Sequence, residues 1–281
     1  MKIQFAVIRL TLCFIFLHVG FNVIAQTSFM TFNLRYDNPS DGENNWHLRK
    51  QEIVSFFNFY EPDIFGIQEG LVHQVGYLEE NLPQYSKIGV GRDDGKMKGE
   101  FAAIFYNSEK VALIETATYW LSETPLKVSV GWDASMERIT TFGTFKMKNT
   151  GDTLYVFNCH FDHIGQLARK QSAELLIQLI NQKGLSDKKV IIMGDFNAEP
   201  SEEPIQVLGS YLFDAREITN VAPYGPEGTF NSFDNHQLPN KRIDYLFVKN
   251  LKVERYRCIE DKRINGLWLS DHLPVMIQTE L

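Results

Sequence analysis

The stretch at 190–200, VIIMGDFNAEP, most constrains what this chain can fold into. Its first four residues are apolar β-formers, too few for a helix, so they predict a strand that is buried on both faces. Gly194 permits a tight turn at the strand end, and Pro200 prevents regular structure from continuing. Asp195 and Asn197 therefore follow a buried strand on the same side of an extended chain, where polar groups need partners.

Polar residues end several other predicted strands in the same way. They come from five segments of the chain and are Asn33, Glu69, His160, Asp195, Asn197, Asp271 and His272. Because strand ends at one edge of a layered fold converge, we expect these side chains to form one site. Carboxylates and amides without cysteine pairs favour a hard cation such as Mg²⁺ or Mn²⁺.

The order of the predicted elements indicates one α/β domain that spans residues 26–281. Predicted strands dominate, and amphipathic helices at 46–60 and 167–183 lie between some of them. No repeat, low-complexity tract or linker divides the sequence. This pattern predicts two packed β-sheets with helices on the outside.

The first 25 residues have the pattern of a secretory signal peptide. Lys2 and Arg9 give a basic start, residues 10–17 are an apolar core, and small-residue cleavage chemistry ends at Ala25. Polar residues interrupt the apolar run, which disfavours a membrane-spanning helix. We therefore expect a secreted or periplasmic protein, monomeric and without a stable membrane anchor.

The charge balance is acidic, with 28 basic and 35 acidic residues and a formal net charge of −7. A nonspecific nucleic-acid binder usually shows the opposite balance. Metal ions can neutralise phosphate locally, so a nuclease is not excluded, but a broad basic groove is not expected.

Six short motifs carry a resemblance to a known family. They are TFNL at 31–34, QE at 68–69, NCH at 158–160, GDFN at 194–197, RIDY at 242–245 and SDHLP at 270–274. In this order they resemble the endonuclease/exonuclease/phosphatase superfamily, from about Phe29 to the end of the chain. The resemblance implies a four-layer α/β sandwich, in which two mixed β-sheets pack face to face with helices outside. It also implies metal-dependent hydrolysis of a phosphate ester.

The resemblance implies a role for each strand-end acid and amide. Glu69 would be the principal metal ligand, with Asn33 and Asp271 nearby. Asp195 would position or deprotonate the attacking water, and Asn197 would help to hold the phosphate. A simpler interpretation also exists for Asn33, which could only cap a turn.

Two histidines and their neighbours complete the implied site. His160 and His272 would contact the phosphoryl oxygens. We expect Asp244 to orient His272 and Glu100 to orient His160, each within roughly 2.6–3.2 Å of its ring, or somewhat further without ligand. Arg138 aligns with an arginine that reaches phosphate in some members. Glu100 could instead be a solvated rim charge, and Arg138 a surface ion pair.

Three residues near these motifs have no assigned role. Asp162 and His163 follow the NCH motif and could only support their loop, and Trp132 could stack on substrate or simply pack. For the whole chain the sequence favours a phosphodiesterase of nuclease-like type, with a phosphate ester and possibly nucleic acid as its partner. The alternatives are a phosphomonoesterase acting on a small or lipid-linked phosphate, and a non-catalytic binding protein on the same fold.

The predicted processing can be tested by mass spectrometry of the exported protein. We expect the mature N-terminus at Gln26, because signal peptides are cleaved after small residues such as Ala25. An exported form that retains residues 1–25 would contradict the prediction.

Overall fold

The computed structural model describes residues 26–281, so the predicted signal peptide at 1–25 lies outside the described residues. The strands are β1 (Gln26–Asn33), β2 (Ile64–Gln68), β3 (Tyr85–Ile88), β4 (Ile104–Asn107), β5 (Val111–Trp120), β6 (Ile139–Met147), β7 (Thr153–His160), β8 (Lys189–Asp195), β9 (Phe213–Asp214), β10 (Asp244–Lys249), β11 (Lys252–Cys258) and β12 (Val275–Glu280). The helices are α1 (Trp46–Tyr60), α2 (Val72–Asn81), α3 (Gln166–Gln182), α4 (Glu203–Gly209) and α5 (Ala215–Ile218). Among the described residues, no helix combines the length and the apolar character needed to cross a membrane.

The strands form two mixed six-stranded sheets, each with one parallel pair. The first sheet has the order β11–β12–β1–β2–β4–β3, and β1 and β2 are parallel. The second has the order β5–β6–β7–β8–β10–β9, and β7 and β8 are parallel. A parallel pair needs a crossover, which α1 supplies in the first sheet and α3 in the second. The carboxyl ends of each parallel pair therefore lie side by side.

Strand β8 shows how the layers form. Ile191 and Met193 point between the sheets, where they belong to the same core as Phe29 of β1. Val190 and Ile192 alternate with them and pack in the outer core with residues of α3 and α4. A third core holds α1 and α2 against the outer face of the first sheet. The predicted sandwich of two mixed sheets with helices outside is confirmed.

Two details of the first sheet differ from the sequence prediction. Strand β3 was not predicted, because only its first and last residues are buried and two polar residues separate them. The apolar β-formers from Phe101 to Tyr106 predict a strand over all six residues, but β4 begins only at Ile104. Phe101 makes only isolated bridges to Gly70 and Gly91, so the chain there joins two loops rather than extending the sheet.

The side-chain amide of Asn158 in β7 joins the two sheets. Its Nδ2 donates to the backbone carbonyl oxygens of Ile67 at 2.9 Å and Ala103 at 2.8 Å. Its Oδ1 accepts from Gln68 Nε2 at 2.6 Å. Gly66 leaves room for this amide, since a Cβ at Gly66 would lie 2.4 Å from Asn158 Oδ1. The link is fully buried, so its polar groups have no water to replace a lost partner.

Replacing Asn158 with Leu should lower the free energy of unfolding by about 3 kcal/mol, because three buried hydrogen bonds are lost, one each to Ile67, Ala103 and Gln68. Urea unfolding of the purified protein measures this change. The matched control is Asn58→Leu, at an exposed asparagine of α1, with an expected change within about 0.5 kcal/mol. Equal losses for the two variants would show that Asn158 does not join the sheets energetically.

Candidate active site

The candidate site lies at the seam where the carboxyl ends of both parallel pairs meet. Asn33 ends β1 and Glu69 follows β2, while His160 ends β7 and Asp195 ends β8. Asp244 begins β10, which is antiparallel to β8, so the register places it opposite Asp195. The structure thus brings together side chains from both sheets.

Asp195 occupies the centre of the site. Asn33 Nδ2 and the backbone N–H of Asn197 each donate to its carboxylate at 2.9 Å. The Nε2 atoms of His160 and His272 lie 3.6 Å and 3.7 Å from its Oδ2. Burial raises the pKa of Asp195 to about 7, although His272 acts in the opposite direction. A buried carboxylate with a pKa near neutrality is suited to accept a proton from water.

His272 is held by Asp244, the pairing expected from the sequence. Its Nδ1 lies 2.8 Å from Asp244 Oδ2, which also accepts from Thr229 Oγ1 at 2.6 Å. Burial lowers the pKa of His272, but the carboxylates of Asp244 and Asp195 outweigh burial and raise this pKa well above its usual value. His272 is therefore an imidazolium whose Nε2–H faces Asp195.

His160 does not have the expected hydrogen bond to Glu100. The distance from His160 Nδ1 to Glu100 Oε2 is 3.7 Å, because Arg92 holds both oxygens of Glu100 at 2.6 Å and 2.9 Å. Arg138 Nη1 lies 3.0 Å from His160 Nε2. Burial, followed by the positive charge of Arg138, puts the pKa of His160 well below its usual value. The expected orientation of His160 by a hydrogen bond to Glu100 is therefore corrected: Arg138 holds the ring, and its N–H donor and positive charge favour a neutral His160.

Arg138 is buried in the wall of the site rather than at the surface. Its Nη1 and Nη2 donate to His160 Nε2 at 3.0 Å and to His163 Nδ1 at 2.9 Å, and its Nε lies 3.3 Å from Asp162 Oδ2. The guanidinium thus contacts two imidazoles and a carboxylate. Asp162 in turn accepts from Ser135 Oγ at 2.7 Å, so Asp162 and His163, two of the three residues left without a role by the sequence, belong to this cluster.

Glu69 lies where it can hold a cation. Its Oε1 accepts from Asn33 Nδ2 at 3.0 Å and its Oε2 from the backbone N–H of Tyr36 at 3.0 Å. Its backbone is left-handed, with φ of 62°, a strained conformation for a residue other than glycine. Asp271 lines the same cleft, 3.6 Å from Arg35 Nη1, and burial raises its pKa.

Acidic and imidazole ligand atoms approach one another in two groups that share one residue. Within residues 26–281 these groups are Glu69–His160–Asp195 and Asp195–Asp244–His272, with ligand atoms within 4.8 Å of one another. Their carboxylate oxygens, with no thiolate among them, fit a hard divalent cation. Asp271 lines the cleft but belongs to neither group, so the predicted set of metal ligands is only partly reproduced as a cluster.

The site opens into a cleft of about 820 Å³. Glu69, Glu100, Arg138 and Asp195 line it together with Asn197, which has a left-handed φ of 47°. The cleft also contains residues that the sequence did not single out, namely Arg35, Tyr36, Asp41, Arg92, Met136, Glu199, Glu202, Phe230, Ser232, Phe233, Lys241 and Ile243.

A signal for Arg35 and Arg92 was present in the sequence. Arg35 directly follows the TFNL motif, and Arg92 begins the glycine-rich loop that ends at Glu100. Such a loop folds back on itself, and the backbone N–H of Arg92 donates to the carbonyl oxygen of Glu100 at 3.1 Å. For Phe230 and Phe233 we find no comparable local signal.

A cluster of side chains that could hold a cation, a histidine held by a buried acid, and a carboxylate with a raised pKa lie together at the edge of the α/β sandwich, as a phosphoester hydrolase requires. The model described as "Endonuclease/Exonuclease/phosphatase family" matches residues 30–272. The chain therefore belongs to the endonuclease/exonuclease/phosphatase family, as the six motifs indicated.

Similar proteins include both phosphatases and nucleases. A solved mannosyl-6-phosphatase from Bacteroides thetaiotaomicron is 38% identical, with a TM-score of 0.87, and the match covers 91% of this chain and 100% of that chain. An uncharacterized protein of Acanthamoeba polyphaga mimivirus is 30% identical over 256 residues, 83% of this chain and 91% of that protein. A probable RNA exonuclease of Saccharomyces cerevisiae is 25% identical over 201 residues, 66% of this chain and 38% of that protein.

Replacing Asp244 with Asn should reduce kcat roughly 100-fold, the range of general acid–base contributions. The amide keeps the position but removes the charge that raises the pKa of His272, so less of the imidazolium form exists at neutral pH. The remaining activity should therefore depend on a His272 with a lower pKa. The alkaline limb of the pH–kcat profile should shift to lower pH.

The matched control is Asp214→Asn, at a partly buried carboxylate that pairs with Arg242 at 2.6 Å outside the cleft. This control should lose stability and keep its kcat per folded molecule. A profile for Asp244→Asn that superimposes on the wild-type profile would show that Asp244 does not set the charge of His272.

Proposed function

We propose that this protein is a divalent-metal-dependent phosphomonoesterase that releases phosphate from a sugar phosphate. The observation that carries the proposal is the 38% identity to a mannosyl-6-phosphatase along the whole of that chain. The similarity to an RNA exonuclease is lower and covers 38% of that protein. These comparisons favour the monoesterase alternative over the phosphodiesterase that the sequence favoured.

The charges of the cleft support a substrate with one phosphoryl group. Carboxylates outnumber basic side chains among its lining residues, which include Glu199 and Glu202 near its rim. The three arginines of the cleft are paired with acids, in the pairs Arg35–Asp41, Arg92–Glu100 and Arg138–Asp162. Lys241 is then the remaining lysine or arginine among the lining residues. A polynucleotide backbone needs a track of unpaired basic groups, which this cleft does not offer.

Mg²⁺ or Mn²⁺ is the cation that we propose for the site, held by Glu69 with Asn33 and Asp271 nearby. When bound, it would supply positive charge against the phosphoryl oxygens, which an acid-lined cleft otherwise lacks. Asp195 belongs to the same group of ligand atoms as Glu69 and would orient the attacking water.

The side chains of the protein would divide the hydrolysis among them. Asp195, with its pKa of about 7, accepts the proton of the attacking water. As the bond between phosphorus and the alcohol oxygen breaks, Nε2–H of the His272 imidazolium hydrogen-bonds to a phosphoryl oxygen and stabilises its charge. The alcohol oxygen takes up a proton from solvent, and Asp195 returns to solvent the proton that it accepted. Asp244 keeps His272 protonated, and Asn197 helps to hold the phosphate.

The second candidate is a nuclease-like phosphodiesterase, which the similarity to an RNA exonuclease favours. A lipid-linked phosphate monoester is a further possibility for the same chemistry. A non-catalytic binding role explains the site less well, because binding alone does not need an acid with a near-neutral pKa beside a charged histidine. The export of the protein through its N-terminal segment remains part of this proposal.

A substrate panel tests the proposed function. Mannose 6-phosphate, phenyl phosphate, bis-(4-nitrophenyl) phosphate, single-stranded RNA and DNA are each incubated with the mature protein. We expect phosphate release from mannose 6-phosphate to exceed diester cleavage at least about 10-fold, a difference of 1.4 kcal/mol in transition-state binding. Activity should vanish with a chelator and return with Mg²⁺ or Mn²⁺.

Glu69→Gln should lose roughly 100-fold in kcat/KM, because a bound cation stabilises the transition state by several kcal/mol. Glu80→Gln, at an exposed position of α2, is the matched control and should keep full activity. RNA or the diester cleaved faster than every monoester would refute the monoesterase proposal, and full activity in excess chelator would refute the metal.

A further inference from the structure

His163 has no role in the hydrolysis described above, yet it lines the active-site cleft. It lies in the loop after β7, three residues beyond His160, and its side chain is exposed. Its Nδ1 lies 2.9 Å from Arg138 Nη2. Within the described part of the chain, no residue forms a hydrogen bond with its Nε2.

The contact with Arg138 determines which nitrogen of His163 carries the proton. A guanidinium has only N–H donors and no acceptor, so Nδ1 of His163 must accept and must be unprotonated. A neutral imidazole then carries its single proton on Nε2. Partial burial, followed by the charge of Arg138, lowers the pKa of His163, which is consistent with a neutral ring. The ring therefore offers one N–H donor, at the edge away from Arg138.

Arg138 is itself fixed, so the direction of this donor is set in advance. Its Nε lies 3.3 Å from Asp162 Oδ2 and its Nη1 lies 3.0 Å from His160 Nε2. Asp162 also accepts from Ser135 Oγ at 2.7 Å and from the backbone N–H of Gly165 at 2.7 Å. A donor held by fixed neighbours loses little conformational entropy when it binds a ligand.

A row of contacts connects Asp195 to His163. His160 Nε2 lies 3.6 Å from Asp195 Oδ2, and Arg138 contacts both His160 and His163. His163 is the exposed member at the end of this row. A substrate whose phosphoryl group is close to Asp195 would extend its alcohol part towards the exposed end of this row.

We propose that His163 is a specificity-determining residue whose Nε2–H donates a hydrogen bond to a hydroxyl oxygen of the alcohol part of the substrate. The proposal rests on the proposed phosphomonoesterase function and adds that the alcohol carries hydroxyl groups near the phosphate, as a sugar does. Arg138 is then a positioning residue, since it fixes the tautomer of His163 and does not itself reach the alcohol.

Two substitutions and two monoesters test this proposal. His163→Leu removes the donor, and His163→Gln places an amide N–H close to the position of Nε2. Mannose 6-phosphate offers hydroxyl groups, whereas phenyl phosphate offers none. We expect His163→Leu to lower kcat/KM for mannose 6-phosphate about 5- to 10-fold, mainly through KM, the effect of one neutral hydrogen bond. The value for phenyl phosphate should not change, and His163→Gln should recover part of the loss.

The ratio of the two kcat/KM values decides the result, because it does not depend on how much of a variant is folded. His47→Leu, at an exposed histidine of α1 outside the cleft, should leave the ratio unchanged. Equal losses on both monoesters would mean that His163 contacts the phosphoryl group, and no loss on either would mean a supporting role; each result overturns the proposal. A wild-type protein that hydrolyses neither monoester would overturn the proposed function, and the role of His163 with it.

Discussion

The relative position of the two sheets depends on the buried amide of Asn158. Gln68, which donates to Asn158 Oδ1 at 2.6 Å, directly precedes Glu69, and Asn158 lies two residues before His160. The same hydrogen bonds that join the sheets therefore fix Glu69 relative to His160. Sliding one sheet past the other would leave several buried polar groups without partners, which is costly. The separation of Glu69 and His160 is thus a property of sheet packing.

The two histidines at the seam have opposite charge states because their neighbours differ. His272 faces two carboxylates, those of Asp244 and Asp195, which raise its pKa despite full burial. His160 is equally buried, but the group at its Nε2 is the guanidinium of Arg138, so burial and charge act together to lower its pKa. The charged His272 can then neutralise a phosphoryl oxygen. The neutral His160 accepts from Arg138 and so holds this guanidinium in the wall of the cleft. This division of charge lets an acidic protein bind an anion without a basic surface.

Sequence reasoning succeeded where side chains belong to strands. The sandwich followed from strand order and period. The pairing of Asp244, at the start of β10, with His272, three residues before β12, was also predicted correctly. Sequence reasoning failed for Glu100, which ends a loop whose turns bring Arg92 against its carboxylate. The partner of a loop residue depends on backbone turns that apolar periodicity does not encode. For the same reason the position of His163 against Arg138 could not be predicted from the sequence.

The difference between strands and loops also separates the chemistry from the choice of substrate. In the proposed function the strand-end residues act on the phosphoryl group, so a preference among alcohols would come from the loops around the cleft. One such loop is held firmly: the backbone N–H groups of Asn231 and Ser232 donate to the carbonyl oxygen of Asp271 at 2.8 Å and 3.1 Å. Ser232 and Phe233 both have left-handed backbones, with φ of 52° and 59°. Such strain persists only where the surroundings impose it, and here the hydrogen bonds to Asp271 do so. The cleft is therefore bounded by a wall of fixed shape, so the fit of the alcohol can discriminate among substrates that the same strand-end residues would hydrolyse equally well.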